Sequence, residues 1–585
     1  MVQPATIDMT ALEPILKRYR GRGRESLLPL LHEAQVINGW LPPEIQEAIG
    51  ETLRVPLSDI HGVVEFYSMF YNEPMGKRVI RVCNDPACHM AGGPAVRLAI
   101  EERLGLKPGE TTEDGMIGYE TVPCLGMCEH APNALNGDRP AGDLTPADVD
   151  AFLTGMYPEP EPKIYGGPLV KLARAGKIDP TSLDAFVKHD GYKALRKALT
   201  MTPEEILAMM KGSDLLGRGG AMFPVGLKWE MTRNAPGHPS EKHIVANADE
   251  SEPGTFKDRA LMEQDPFSLI EAMTIAGYTV GAENGWIFLR GEYPRCYARL
   301  KNAIEKAREA GYLGHNILGR RGFNFDIELR LGAGAYICGE ETALFEAIEG
   351  KRGFPRIKPP FPTTHGLFQQ PTAVNNVETL AATVAILNMG VEQWHKLGTA
   401  ESPGTKWFCV SGRVFRPGVY EVPFGLTVRQ LIQMAGGVIG KEVQAVLLGG
   451  AAGVFIGPRR LDTPLTYEDA KAQGFPIGSG VIMVFDEAVD LRESMYMLTR
   501  FFAHESCGKC YPCALGTQRQ MEIIERILHY GGPRSDDKKD LREIGLTMTQ
   551  TSLCGLGQTA GLAVMSAIDR WPELFAPDGG NGQVR

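Results

Sequence analysis

The sequence predicts a multidomain α/β chain, helical at both ends and mixed in between. Three observations carry this expectation. The chain has 585 residues, more than one hydrophobic core holds, so about three to five domains are expected. Apolar periodicity switches repeatedly between helical and strand-like spacing along the chain. The 11 cysteines are gathered rather than spread: eight fall in two tight groups, and Cys296, Cys338 and Cys409 stand alone.

Composition narrows the function classes. Hydrophobic residues at 43% and charged residues at 23% fit a water-soluble globular chain. The net charge of −10 repels phosphate backbones, so nucleic acid is not an expected partner. No stretch reaches the roughly 18 apolar residues of a membrane span; the best run, residues 381–391, contains Thr383 and Asn388. Residues 1–10 carry Asp8 and no basic region followed by an apolar run, so they do not read as a signal peptide. The expected location is the cytoplasm, with any membrane attachment made through another subunit. In a reducing compartment, grouped cysteines point to metal or cluster ligation.

The elements follow in order. Residues 1–75 read as a helical bundle: Leu12, Ile15 and Leu16, then Leu27, Leu28 and Leu31, recur at helical spacing, and Pro42-Pro43 opens a helix that buries Ile45 and Ile49. Residues 76–156 read as a small α/β domain, with strands at 79–82 and 119–122 around a helix at 95–104. Alternating proline and glutamate over 157–162 predicts a stiff, extended, solvated linker at 157–164. Residues 165–403 are glycine-rich and alternate strand and helix patterns. Residues 404–487 read as a small β-grasp-like domain, and 488–585 as helical with a cysteine loop at 507–513.

Cys83 and Cys88, then Cys124 and Cys128, each follow a predicted strand. Four thiolates complete either a tetrahedral zinc site or a [2Fe–2S] cluster, and spacing alone leaves both open. His89 and His130 adjoin these cysteines and are expected to be bystanders. Cys507, Cys510 and Cys513, with Cys554 distant, favour a [4Fe–4S] cluster. In a cubane each thiolate binds a different iron, so three ligands can come from one wrapped loop. Three thiols that close together rarely converge on a single zinc.

Two glycine-rich segments could approach a phosphate or an aromatic ring. The first, GRGGAMFPVGLK over 217–228, carries Arg218 and Lys228; the second, GAGAYICGEE over 332–341, ends in Glu340 and Glu341. Carboxylates beside such a loop accept from ribose hydroxyls and disfavour an added 2′-phosphate, which argues for NAD over NADP. NADESEPGT over 247–255 clusters polar and acidic groups, and NNVET over 375–379 supplies amides and a hydroxyl.

Together with RIKPPFP at 356–362, these segments resemble the FMN- and NADH-binding domain of the NADH-binding subunit of respiratory complex I. The loops SCGKCYPC and SLCGLG resemble that subunit's [4Fe–4S] site. The CNDPAC and CLGMC loops, with the helical LLPLLHEAQVINGWLP text before them, resemble the thioredoxin-like [2Fe–2S] ferredoxin of complex I's small flavoprotein subunit. The resemblance covers about residues 11–575 as two family subunits fused head to tail. It implies a helical bundle plus thioredoxin-like ferredoxin, a Rossmann-like FMN/NADH domain, a β-grasp-like (SLBB) domain and a four-helix-type [4Fe–4S] domain.

Carried over position by position, the resemblance implies FMN on Gly217, Arg218, Gly219, Lys228, Asn247, Asp249, Glu250, Gly339, Asn375, Asn376 and Thr379. It implies NADH on Phe223, Glu252, Tyr336, Glu340, Glu341, Lys358 and Phe361. Cys83, Cys88, Cys124 and Cys128 would hold [2Fe–2S]; Cys507, Cys510, Cys513 and Cys554 would hold [4Fe–4S]. Met222 stands where the family has glycine and Val225 where it has threonine, which places the adenine pose in question at Met222.

No catalytic acid or base is implied, because hydride passes between bound cofactors and a flavin converts it to single electrons. The implied partner is an iron–sulfur-bearing catalytic subunit. Fusion without a further C-terminal ferredoxin, together with an intact first cysteine quartet, resembles the diaphorase subunit of NAD-linked formate dehydrogenase, whose partner carries molybdenum or tungsten. The NADH module of a complex I-like enzyme and NAD-reducing hydrogenase are alternatives. A redox-inactive zinc-binding scaffold is the remote one.

Overall fold

The computed structural model describes residues 9–576. Four helices open the chain, Met9–Tyr19, Leu27–Asn38, Pro43–Leu53 and Leu57–Val64. Pro43 sits in the first turn of its helix, where a missing N–H costs nothing. Ile45 and Ile49 are fully buried. The core these helices build is continuous with the core of the nucleotide domain, so the bundle expected as a separate unit packs as part of a larger one.

The ferredoxin-like sheet contains β1 (Arg78–Cys83), β2 (Ile117–Val122), β3 (Ala134–Asn136) and β4 (Arg139–Ala141) in the order β2-β1-β3-β4. β1 and β2 are parallel, with Cys83 opposite Val122. Parallel strands end at the same edge, so the loops carrying all four cysteines leave the sheet together.

The proline–glutamate segment is pinned rather than free. The Glu161 carboxylate accepts from Gln264 at 2.5 Å and pairs with Arg295 at 3.3 Å, and its carbonyl meets the His130 ring at 2.8 Å. Next comes β5 (Ile164–Gly166), which pairs in parallel with a strand near residue 420. The start expected for the nucleotide domain is therefore an edge strand of the β-grasp sheet.

The nucleotide domain is built on β6 (His243–Ala248), β7 (Asn284–Leu289), β8 (Asp326–Leu331) and β9 (Thr372–Asn376). All are parallel, in the order β8-β7-β6-β9. The order reverses between β6 and β9, and ligands of open parallel sheets bind outside the strand ends at such a switch point. The helices Pro266–Val280 and Val377–Met389 are buried along most of their lengths. This explains the apolar run at 381–391 as core. Among the described residues, no helix is long and apolar enough to cross a membrane.

The β-grasp domain adds β10 (Thr405–Gly412), β11 (Gly418–Pro423), β12 (Val443–Leu448), β13 (Val454–Ile456) and β14 (Val481–Asp486), in the order β13-β12-β14-β10-β11-β5. Helices Leu491–Glu505, Tyr511–His529, Asp537–Thr551 and Leu562–Arg570 then form the C-terminal layer.

Candidate functional site

At the switch point, β6 ends in Asn247 and Ala248 and β9 in Asn375 and Asn376. Beyond them lies a cleft of about 280 Å³. Of the expected residues it is lined by Gly219, Asn247, Asp249, Glu250, Gly339 and Asn376, together with Glu252, Tyr336 and Glu340. The Asn247 amide donates to the Gly339 carbonyl at 2.8 Å, tying the acidic loop to the second glycine loop. That loop is also strapped from the N-terminal helices: the Ser68 and Met69 amides donate to the Gly334 and Ala333 carbonyls at 3.1 and 2.9 Å. A Cβ on Gly334 (φ 76°) would stand 2.4 Å from Ser68 Oγ, so both backbone angle and space require glycine there.

Other expected residues surround the cleft without lining it. Arg218 is buried, but its guanidinium turns away, donating to the Pro403 carbonyl at 2.9 Å and Tyr467 at 3.0 Å and packing over Phe424. Its backbone amide donates to Thr379 Oγ1 at 2.8 Å. Both side chains therefore shape the loop, which reaches the cleft at Gly219. Asn375 accepts from Trp229 Nε1 at 2.9 Å.

Lys228 is half-buried and donates only to the Val374 carbonyl, at 2.9 Å; no carboxylate lies within ion-pair distance of it among the described residues. Burial pushes its pKa down. A half-buried ammonium with no carboxylate in ion-pair contact fits an anionic group such as a phosphate. Phe223 lies near Lys228, with the ammonium 5.8 Å from its ring centroid. Phe223 and Phe361 are 40% and 55% exposed, open faces for a planar ligand rather than parts of a closed wall. Met222 has φ 54° and Val225 is fully buried at the start of the helix Val225–Asn234.

The paired acids differ in role. Glu340 caps the helix Glu341–Ile348, accepting from the Thr342 and Ala343 amides at 2.8 and 3.0 Å. Lys358 bridges Glu340 and Glu341 at 3.0 Å each. Glu341 is thus the acid with capacity left for a ligand hydroxyl.

Burial dominates the electrostatics of the cleft. It pushes the Asp249 carboxyl up to about 8, and Glu250 and Glu252 up to about 7. Glu378, from the NNVET segment, behaves oppositely: burial alone would raise it, but the ammoniums of Lys171, Lys406 and Lys257 at 2.7, 2.5 and 3.4 Å hold it well below the usual range.

Sequence reasoning missed Ser251, Thr255, Lys257, Asp258, Ile337, Ser479, Gly555 and Leu556 in the cleft wall. Lys257 and Asp258 follow Asn247 in the same polar segment, a usable signal. Ser479 and the Gly555-Leu556 pair arrive from other domains, and nothing local announces them.

Cys507, Cys510, Cys513 and Cys554 line one small, mostly apolar pocket with Ile337, Pro355, Leu553 and Leu556. The first three surround the turn between two long helices, and Cys554 precedes the short helix Gly555–Thr559. In the ferredoxin domain, Cys83, Cys88, Cys124 and Cys128 are all buried, with the Cys124 and Cys128 sulfurs 3.3 Å apart. All eight thiols are unpaired by disulfides. Among the described residues, no three Cys, His, Asp or Glu side chains are arranged to hold a single metal ion. His89 pairs with Glu493 at 3.0 Å and His130 with Asp143 at 2.6 Å; both remain bystanders to the thiols.

Comparison with known proteins agrees with this layout. Residues 12–157 match the thioredoxin-like [2Fe-2S] ferredoxin family, 210–385 the Nuo51 FMN-binding domain, 407–451 the SLBB domain, and 493–577 the NADH-ubiquinone oxidoreductase-F iron-sulfur binding region. The chain is 35% identical over 576 residues to the NAD-reducing hydrogenase HoxS subunit alpha of Cupriavidus necator, covering 96% of this chain and 93% of that protein. It is 44% identical to the F subunit of NADH-quinone oxidoreductase from Aquifex aeolicus, covering 70% of this chain and 95% of that protein. A crystal structure of an NAD+-reducing [NiFe]-hydrogenase in the H2-reduced state superposes with a TM-score of 0.84 at 32% identity, over 95% of this chain and 92% of that one.

Proposed function

Since the chain belongs to the family of NADH-binding flavoprotein subunits that includes NAD-reducing hydrogenase subunit alpha and the F subunit of NADH-quinone oxidoreductase, we propose that it exchanges electrons between NADH and a multisubunit redox partner through the cleft and two cysteine sites described above. It is an oxidoreductase whose cofactors are FMN, NAD(H), one [2Fe–2S] and one [4Fe–4S] cluster. The chemistry FMN supplies when bound is conversion between a two-electron hydride and single electrons.

The residues divide the work. The backbone of 217–219, Lys228, Asn247, Gly339, Asn375 and Asn376 cradle the flavin nucleotide. Glu341, Lys358, Phe223 and Phe361 receive the dinucleotide at the cleft mouth. Arg218 and Thr379 hold the first glycine loop. Cys507, Cys510, Cys513 and Cys554 ligate [4Fe–4S]; Cys83, Cys88, Cys124 and Cys128 ligate [2Fe–2S]. One observation carries the reading: Ile337 and Leu556 line both the nucleotide cleft and the Cys507 pocket. An apolar wall shared by the two sites keeps them close enough for single-electron transfer.

The partner is proposed as an iron–sulfur-bearing catalytic subunit, and the location as the cytoplasm. The intact first quartet supports a formate-oxidising partner. Similarity along the whole chain to a hydrogenase subunit supports a hydrogen-oxidising one. NAD+ reduction by the co-purified complex under formate or under hydrogen separates them.

The module itself is tested by the visible spectrum of anaerobically purified protein. Broad iron–sulfur absorbance with a flavin shoulder, bleached by NADH and weakly by NADPH, is the expected result. A colourless protein, or a brown one indifferent to NADH, overturns the reading.

A further inference from the structure

The cysteine loop of the two-iron site is held from outside its own domain. Arg290, directly after β7, is 4% exposed. Its guanidinium donates to the backbone carbonyl of Cys124 and, at 3.0 Å, to that of Glu250, which lines the nucleotide cleft. Arg259, on the helix Lys257–Gln264, is buried too and donates to the Gly126 carbonyl at 2.8 Å. Gly126 has φ 66°, and a Cβ there would stand 2.0 Å from the Tyr293 hydroxyl, so the loop fits against the nucleotide domain only as glycine. The Glu250 carboxylate closes the arrangement, accepting from the Asp258 and Arg259 amides at 2.9 Å each.

The two arginines belong to separate ion-pair groups. Arg259 faces two buried carboxylates, Glu129 and, at 3.2 Å, Glu263, the latter shared with Arg295. Arg290 faces one carboxylate, Glu292, through Nε at 3.2 Å and Nη2 at 3.3 Å, and the same Nη2 donates to the Cys124 carbonyl. Adding an electron to a buried thiolate cluster deepens its negative charge. A nearby cation stabilises that state and a nearby carboxylate opposes it, with little water to screen either.

We infer that Arg290 and Glu292 are opposed positioning residues through which the nucleotide domain sets the reduction potential of the [2Fe–2S] centre, Arg290 raising it and Glu292 lowering it. The inference rests on the ligand set proposed above. Arg259 anchors the loop through the Gly126 carbonyl.

The test is a redox titration of the full-length holoprotein, followed by the paramagnetic resonance of the reduced two-iron centre. Arg290→Gln shifts the midpoint to more negative potential and Glu292→Gln to more positive potential. Arg290→Lys stays near the parent value. A loosened fold moves both neutral variants in the same direction, so opposite signs identify the electrostatic role. An unmoved midpoint in Glu292→Gln, or shifts of one sign in both variants, overturns the inference. Should Arg290→Gln fail to assemble, Glu292→Gln and Arg290→Lys decide by the same criteria. The ligand set fails separately: an unaltered two-iron signal in Cys124→Ala overturns that assignment whatever the midpoints.

Discussion

The Tyr336 hydroxyl donates to the Glu252 carboxylate at 2.5 Å, and the same carboxylate accepts from the Ala452 amide at 2.8 Å. One half-buried acid thus ties the second glycine loop, the acidic loop and the β-grasp domain together at the cleft. Above pH 7, where Glu252 is ionised, Tyr336→Phe removes a hydrogen bond to a charged group, worth about 1.5–3 kcal/mol. The expected outcome is a rise in KM for NADH of roughly tenfold or more, that energy range expressed as affinity, with FMN content retained. Steady-state dye reduction with flavin quantification checks it; an unchanged KM removes Tyr336 from the nucleotide site.

Glu340 and Glu341 separate into a cap and a free acceptor, so their substitutions part ways. Glu341→Gln raises the NADPH-to-NADH ratio of kcat/KM roughly tenfold, equivalent to about 1.4 kcal/mol. Glu340→Gln weakens a helix cap, at about 1 kcal/mol, and affects both nucleotides alike. Parallel kinetics with the two nucleotides distinguish these outcomes.

Burial raises Asp249 to about 8 and Glu250 and Glu252 to about 7. In the unfolded chain these groups titrate near 4, so the folded state holds more protons between the two values. Stability is then greatest below the unfolded pKa and falls as pH rises through the folded one. The thermal midpoint of cofactor-free protein is accordingly lower at pH 8 than at pH 6. Asp249→Asn reduces that difference, and a midpoint that climbs over this interval contradicts the assignment.

Met222 holds a left-handed conformation, φ 54°, while 39% exposed. Met222→Gly relieves strain of about 1 kcal/mol and opens the approach to Phe223. Chemical denaturation is expected to show a stability gain of up to that size. KM for NADH falls with kcat unchanged, the signature of uniform binding.

Local chemistry was legible in particular residues. The spacing of Cys507, Cys510 and Cys513 pointed to a cubane loop, and the polar runs at 247–255 and 375–379 marked the ends of two strands that meet at the switch point. Zinc and cluster remained alternatives for Cys83, Cys88, Cys124 and Cys128, because spacing states which thiols are near one another and not how widely they are spread. The Arg218 side chain misled the reading: its charge suggested a phosphate contact, but the guanidinium is engaged by Pro403 and Tyr467, partners 185 and 249 residues away.

By itself the sequence determined the alternation of helix and strand, the gathering of eight cysteines into two sites, and the glycine and acid segments of a nucleotide cleft. The helices, strands, glycine and acid segments and the paired or tripled cysteines of each loop are written in residues close together in the chain, where periodicity and spacing suffice. The tertiary structure alone decided that Leu556 and Ile337 stand between cleft and cysteine pocket, that Ser479 closes the cleft from the β-grasp domain, and that Arg290 holds the carbonyl of Cys124. Those contacts join segments separated by more than a hundred residues. They arise from the packing of whole domains against one another, which no local pattern encodes.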